Sequence, residues 1–167
     1  MAWIYPDPAV RATRLPRLFV MLFDEDAPGL RFVTAAGEAA TLWQRPGAPR
    51  KPGLGEMVRV AWPMWRALGA GIGRALAISD AIAAHRPETP HWYLHVAGCD
   101  PAHQGQGHGG RTIRAGLAAA TGAPAYLETA TEANLGLYRA LGFAVIDEWQ
   151  VPRGGPRFWS MLRVNDA

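Results

Sequence analysis

With 167 residues, 49% of them hydrophobic, the chain is long enough for one domain with a substantial core and ordinary in composition for a globule. Its net charge is only +3, and the basic residues, sixteen arginines and the single Lys51, are spread rather than clustered. That argues against a nucleic-acid surface and suits a phosphate-bearing ligand. The one cysteine, Cys99, excludes an intramolecular disulfide and a multi-cysteine metal site, and the five histidines lack ligand spacing, so no metal is expected.

No run approaches about 18 consecutive apolar residues, and MAWIYPDPAV lacks a charged stretch leading into an apolar one. A cytoplasmic protein without membrane attachment is therefore expected. Pro8 to Asp24 reads as an amphipathic helix: Val10, Leu15, Leu18, Phe19, Met21, Leu22 and Phe23 recur at helical spacing, with Arg11, Arg14 and Arg17 on another face. Asp7 is its expected N-cap and Pro8 its first residue. Leu30 to Ala35 and Ala39 to Gln44 read as a hairpin across Ala36-Gly37-Glu38, and Arg45 to Gly55 as a loop. Helical sequence resumes from Glu56 to Leu68 and from Ile72 to His85, broken at Gly69-Ala70-Gly71.

The chain then changes character. Trp92 to Val96 is a strand-like run that enters a turn at Cys99-Asp100-Pro101 and leaves through Gln104-Gly105-Gln106-Gly107-His108-Gly109-Gly110 into a helix expected over Arg111 to Ala120. Glycines turn tightly and bring N–H groups close to a ligand, and a helix N-terminus offers unpaired donors with a positive dipole end, so this loop invites a phosphate or pyrophosphate. The plainer reading is a turn that lets helix pack on strand. Ala125 to Thr129 reads as a short strand, Thr131 to Leu141 as a short helix ended by Gly142, and Phe143 to Val151 and Phe158 to Arg163 as the last strands.

Two loop types fit these letters. Gly105-x-Gly107-x-x-Gly110, with Glu128 at the end of the next strand, satisfies the dinucleotide-binding pattern, but too little chain follows for the usual series of βα units. Gln104-x-x-Gly107-x-Gly109 after Asp100-Pro101, followed in order by Tyr126-Leu127-Glu128-Thr129, Asn134, Tyr138 and Leu141-Gly142-Phe143, resembles the GNAT superfamily of N-acetyltransferases. From His91 to Arg163 the chain is most similar to the branch containing puromycin N-acetyltransferase.

The resemblance implies an α/β fold of α+β type: a mixed, mostly antiparallel sheet with a splayed central strand pair, flanked by helices, here with the family's first strand and helix missing. It implies one acetyl-CoA-binding domain over 1–167, with helices and hairpin at 1–90 on the acceptor side and the coenzyme-binding core at 91–167. The implied activity is transfer of acetyl from acetyl-CoA to the amine of a small molecule by direct attack in a ternary complex. The alternatives are a non-catalytic acetyl-CoA sensor and a dinucleotide-binding protein. Nucleic acid and membrane are not expected partners; a second copy of the chain, as a homodimer, is compatible with the sequence.

By the same resemblance, Gln104, Gly105, Gln106, Gly107, His108, Gly109 and Gly110 hold the pyrophosphate. Ala97, Gly98 and Cys99 face the pantetheine arm, and Asn134 bonds the coenzyme. The family's central strand carries a bulge, for which Gly98 is the suited residue. Tyr138 is the expected general acid, since a phenol is protonated at neutral pH, and the plainer reading packs it against Phe143. For the base, Glu128 is first and His95 second, each with a structural alternative. Cys99 as nucleophile lacks a histidine partner by spacing and reads better as a small hydrophobe. The tryptophans 43, 62, 65, 149 and 159 are expected mostly in the core, with one or two available to line an aromatic acceptor pocket.

Overall fold

A computed structural model describes residues 1–26, 28–47 and 54–164. The chain falls into two compact units: Met1–Glu25 with Ala48–His85 and Gln150–Pro156, and Asp26–Gly47 with Arg86–Trp149 and Arg157–Ala167. Most of the expected loop at 45–55, including Lys51, lies outside the described residues.

The first unit is helical, with α1 (Pro8–Glu25), α2 (Leu54–Leu68) and α3 (Ile72–His85). Asp7 caps α1 as expected, its Oδ1 accepting the Ala9 N–H at 2.8 Å. No strand precedes α1 among the described residues; instead Ile4 and Tyr5 are buried with Ala67 and Leu68, and Leu15, Leu18 and Met21 of α1 pack on that cluster. Two of the α1 arginines do more than solvate a surface. Arg14 donates to the carbonyl of Arg66 at 2.9 Å and Arg17 to the same carbonyl at 3.4 Å, placing cations at the C-terminal, negative end of the α2 dipole. Phe19 and Phe23 remain exposed, so the apolar stripe is narrower than the sequence pattern suggested.

The second unit holds β1 (Leu30–Val33), β2 (Ala39–Gln44), β3 (Trp92–Cys99), α4 (His108–Ala119), β4 (Ala125–Thr129), α5 (Leu135–Ala140), β5 (Ala144–Gln150) and β6 (Arg157–Arg163). Six strands form one sheet in the order β1-β2-β3-β4-β6-β5. β1/β2, β2/β3 and β4/β6 are antiparallel and β3/β4 parallel. This mixed, mostly antiparallel sheet agrees with the expected architecture and is not the doubly wound parallel sheet on which the dinucleotide reading depends.

The core lies on the α4 side, where Trp43, Trp92, Leu94, Ile113, Leu127 and Met161 are buried together. Gly116 is what lets α4 approach: a Cβ there would stand 2.2 Å from the Trp43 indole nitrogen. Trp149 and Trp159 are buried as expected, but Trp62 and Trp65 are 64% and 56% exposed and stack on each other at 5.4 Å. These two are the exceptions to the mostly buried set, because α2 turns both rings outward.

Candidate functional site

The glycine loop follows β3 directly. Asp100 caps a single 3₁₀ turn, Pro101–His103, through the Ala102 N–H at 2.8 Å, after which Gln104 is extended. Gly107 is the N-cap of α4 at φ +80°, so the helix begins at His108 rather than at Arg111, and Gly109 and Gly110 lie inside its first turn. A glycine N-cap has no side chain to offer, so the first-turn N–H groups keep their donors free of any side-chain cap. A Cβ on Gly109 would meet nothing within 4 Å. The cradle is open toward a ligand, and the helix dipole favours a negative one.

Around the loop, Gln104 Nε2 reaches the Cys99 carbonyl at 3.5 Å and Gln106 Nε2 the Ala102 carbonyl at 3.4 Å, so both amides stabilise the turn. His108 Nδ1 lies 2.8 Å from Arg111 and 3.8 Å from the Glu38 carboxylate. Cys99 is half-buried, its Sγ 3.6 Å from the Asp100 carbonyl. Ala97 and Gly98 are exposed at the end of β3.

Beside the loop the sheet opens. β3 and β4 pair at Trp92 with Ala125 and at Tyr93 with Tyr126, and their pairing stops there although both strands continue. The bulge, however, is not at Gly98. That residue pairs in register with Ala40, whereas the register steps by one between Leu42 and Trp43, leaving His95 without an opposite residue on β2. Gly98 has no positive φ and needs no special conformation.

Glu128 stands across the opening. Burial raises its carboxyl above the ordinary glutamate range, while the hydroxyl of Tyr93, the guanidinium of Arg86, the hydroxyl of Tyr126 and the charge of His95 pull the other way. Its Oε1 is buried without a hydrogen-bond partner. Tyr126 donates to Ser160 at 2.9 Å, as does the Trp149 indole at 3.0 Å, and Arg86 lies 3.9 Å from the centre of the Tyr93 ring.

Tyr138 is 7% exposed in the core cluster, edge-on to Phe143 at 6.2 Å, and burial raises its hydroxyl above the usual phenol range. Asn134 is exposed at the end of a 3₁₀ turn, one residue before α5.

The fold also gathers residues that sequence patterns do not single out. Asp26 is 1% exposed, and both its carboxylate oxygens lie within 3.0 Å of His95 Nδ1. Gln44 Nε2 donates to Asp26 Oδ1 at 2.7 Å. Asp26 and His95 are 69 positions apart, and only the strand order brings them together.

The sequence model of the Acetyltransferase (GNAT) family matches residues 69–143. N-alpha-acetyltransferase RimI of Mycobacterium tuberculosis is 48% identical over 52 residues, which are 30% of this chain and 33% of that protein, so the chain matches about a third of that relative's length. The crystal structure of histone acetyltransferase HPA2 and related acetyltransferase from Corynebacterium glutamicum superposes with a TM-score of 0.67 at 23% identity, covering 97% of this chain and 80% of that one. Arylalkylamine N-acetyltransferase 2 from Aedes aegypti gives 0.57 at 10% identity, with 96% and 81% covered. These two likenesses concern the fold. The family match falls on α3, β3, the glycine loop and the chain through Phe143, the same residues that build the opened strand pair beside the α4 N-terminus.

Proposed function

We propose that the chain is an N-acetyltransferase that moves an acetyl group from acetyl-CoA to the primary amine of a small molecule, by direct attack in a ternary complex. The observation that carries this reading is the juxtaposition of an uncapped helix N-terminus behind a glycine loop with a strand pair that parts just where Glu128 offers a buried, unpartnered carboxylate oxygen. Acetyl-CoA supplies a thioester, and the chain must hold its pyrophosphate, orient its carbonyl and manage protons.

Residues 104–110 hold the pyrophosphate, mainly through the N–H groups of the α4 first turn. Ala97, Gly98 and Cys99, exposed or half-buried beyond the last β3/β4 pair, provide backbone groups for the pantetheine arm, and Asn134 provides a side-chain amide. Glu128 takes the proton of the attacking amine. Its upward shift suits this, because a carboxylate with a higher affinity for protons is a stronger base. Tyr138 stays protonated through the physiological range and returns a proton to the departing thiolate. A small-molecule acceptor is favoured by the likeness to the puromycin-type branch in the motif set and by the fold shared with an arylalkylamine acetyltransferase.

One observation favours the sensor reading: Tyr138 packs in the core against Phe143, as a purely structural aromatic would. Calorimetry with acetyl-CoA and with NAD, followed by an amine-library screen for thiol release, separates the readings. Acetyl-CoA binding with turnover of an amine supports the enzyme. Tight acetyl-CoA binding without turnover across a broad panel leaves the sensor, and binding of NAD alone refutes both.

A further inference from the structure

Acetylation of an ammonium acceptor releases a proton, and this proton needs a way out of the site. An alkylamine titrates at about 10, like a lysine side chain, so at neutral pH it arrives with three protons on nitrogen. The amide keeps one, the thiol takes one, and the third must reach water. Glu128, enclosed by Tyr93 and Tyr126, suits the capture of a proton from the amine rather than its delivery to solvent.

His95 is the unpaired residue of the β3 bulge, on the opening that Glu128 faces from β4, and its side chain is 19% exposed while that of Asp26 is 0% exposed. Asp26 Oδ1 and Oδ2 lie 3.0 and 2.9 Å from Nδ1, and Gln44 Nε2 lies 3.1 Å from the same nitrogen while donating to Oδ1. An ionised carboxylate only accepts hydrogen bonds, so Nδ1 must carry a hydrogen, and in the neutral ring Nε2 is then the bare acceptor. The Tyr93 ring, stacked on the imidazole at 5.2 Å, fixes its plane.

We propose that Asp26 is a positioning residue that holds His95 as the Nδ1–H tautomer, so that Nε2 takes the ammonium proton released by net acetylation and passes it to water. An N–H bond of the ammonium breaks as Nε2–H forms, and that bond breaks in turn as water takes the proton. The groups facing the transient imidazolium are Asp26 in the turn before β1, Gln44 on β2, Tyr93 on β3 itself and Glu128 on β4, with the two carboxylates compensating its charge. The inference rests on the reading of the chain as an amine acetyltransferase.

Asp26→Asn and His95→Gln are assayed with a primary alkylamine and with an arylamine, which arrives neutral and has no third proton to shed. For the alkylamine, kcat/KM should fall about 10²-fold in either variant, the loss with the arylamine should be at least about tenfold smaller, and acetyl-CoA affinity should hold. Equal losses with both acceptors, or loss of coenzyme affinity, would make Asp26 a structural residue and overturn the proposal. Nitrogen-15 NMR of the imidazoles decides independently of turnover: Nδ1–H is expected for His95 in the wild type, and an Nε2–H tautomer there, or one unchanged in Asp26→Asn, also overturns it. A wild-type chain that acetylates no amine fails differently: it refutes the enzymatic reading, and the proton route with it.

Discussion

Two side chains bear most of the chemical reading, and both are compromises between packing and reactivity. Tyr138 is buried edge-on to Phe143, and a phenylalanine there keeps the ring and its packing. Tyr138→Phe should therefore leave thermal stability nearly unchanged while turnover falls about 10²- to 10⁴-fold and coenzyme affinity holds. Unchanged turnover would assign the ring to packing alone. Glu128→Gln removes a carboxyl whose folded value is raised by burial. The native state then binds that proton more tightly than the unfolded chain, so the ionised group costs nothing below the ordinary glutamate range and costs progressively more as pH rises through the raised value. The variant should gain stability relative to the wild type at neutral pH and lose that advantage in acid, while kcat falls about 10²-fold or more. Melting curves across pH check the first part, and an advantage that grows toward acid would contradict it. Glu128 and Tyr138 could be named from the sequence because motif order carries them. Asp26 could not, since its partner His95 lies 69 positions away and the bulge that frees His95 is set by register between β2 and β3.

At the scale of elements, the loop-to-helix junction was legible in kind and displaced in place. Gly109 and Gly110 have poor helix propensity, which made them read as loop, yet α4 starts at His108 because Gly107 supplies the left-handed turn that a side chain would resist. This difference yields a paired test. Gly107→Val puts a β-branched residue at φ +80°, a strain of roughly 1–2 kcal/mol, and should lower both stability and acetyl-CoA affinity. Gly109→Ala meets no neighbour and sits in a helical turn, so it should be neutral or slightly stabilising in the free protein. If coenzyme approaches this backbone closely, Gly109→Ala should nonetheless weaken binding about tenfold or more, since one methyl then displaces a phosphate from its N–H donors. Unaltered calorimetric affinity in Gly109→Ala moves the pyrophosphate away from the α4 N-terminus. The exposed stack of Trp62 and Trp65 shows the opposite limit of sequence reading: hydrophobic spacing gives the helix, but not which of its faces meets a core.

The whole molecule divides into a helical unit and a sheet unit, and every residue assigned to coenzyme and proton transfer belongs to the second. Its core, from Trp43 through Met161, is continuous beneath β3, β4 and α4, so whatever fixes the glycine loop is coupled to the cooperative unfolding of that unit. A ligand that binds the folded state alone stabilises it by about 2.7 kcal/mol at a hundredfold excess over Kd. For a chain of this size, that corresponds to a rise in Tm of roughly 5–10 °C. Acetyl-CoA should produce this shift and NAD at the same concentration should not, because the mixed sheet lacks the parallel switch point a dinucleotide uses. Should the two units melt separately, the shift belongs to the transition of the sheet unit, which can be followed by hydrogen exchange at residues of β3 and α4. Gly107→Val, already weakened by its own strain, should lose most of the coenzyme-dependent increment as well. An equal shift with NAD, or one confined to the helical unit, would place the ligand elsewhere than the glycine loop.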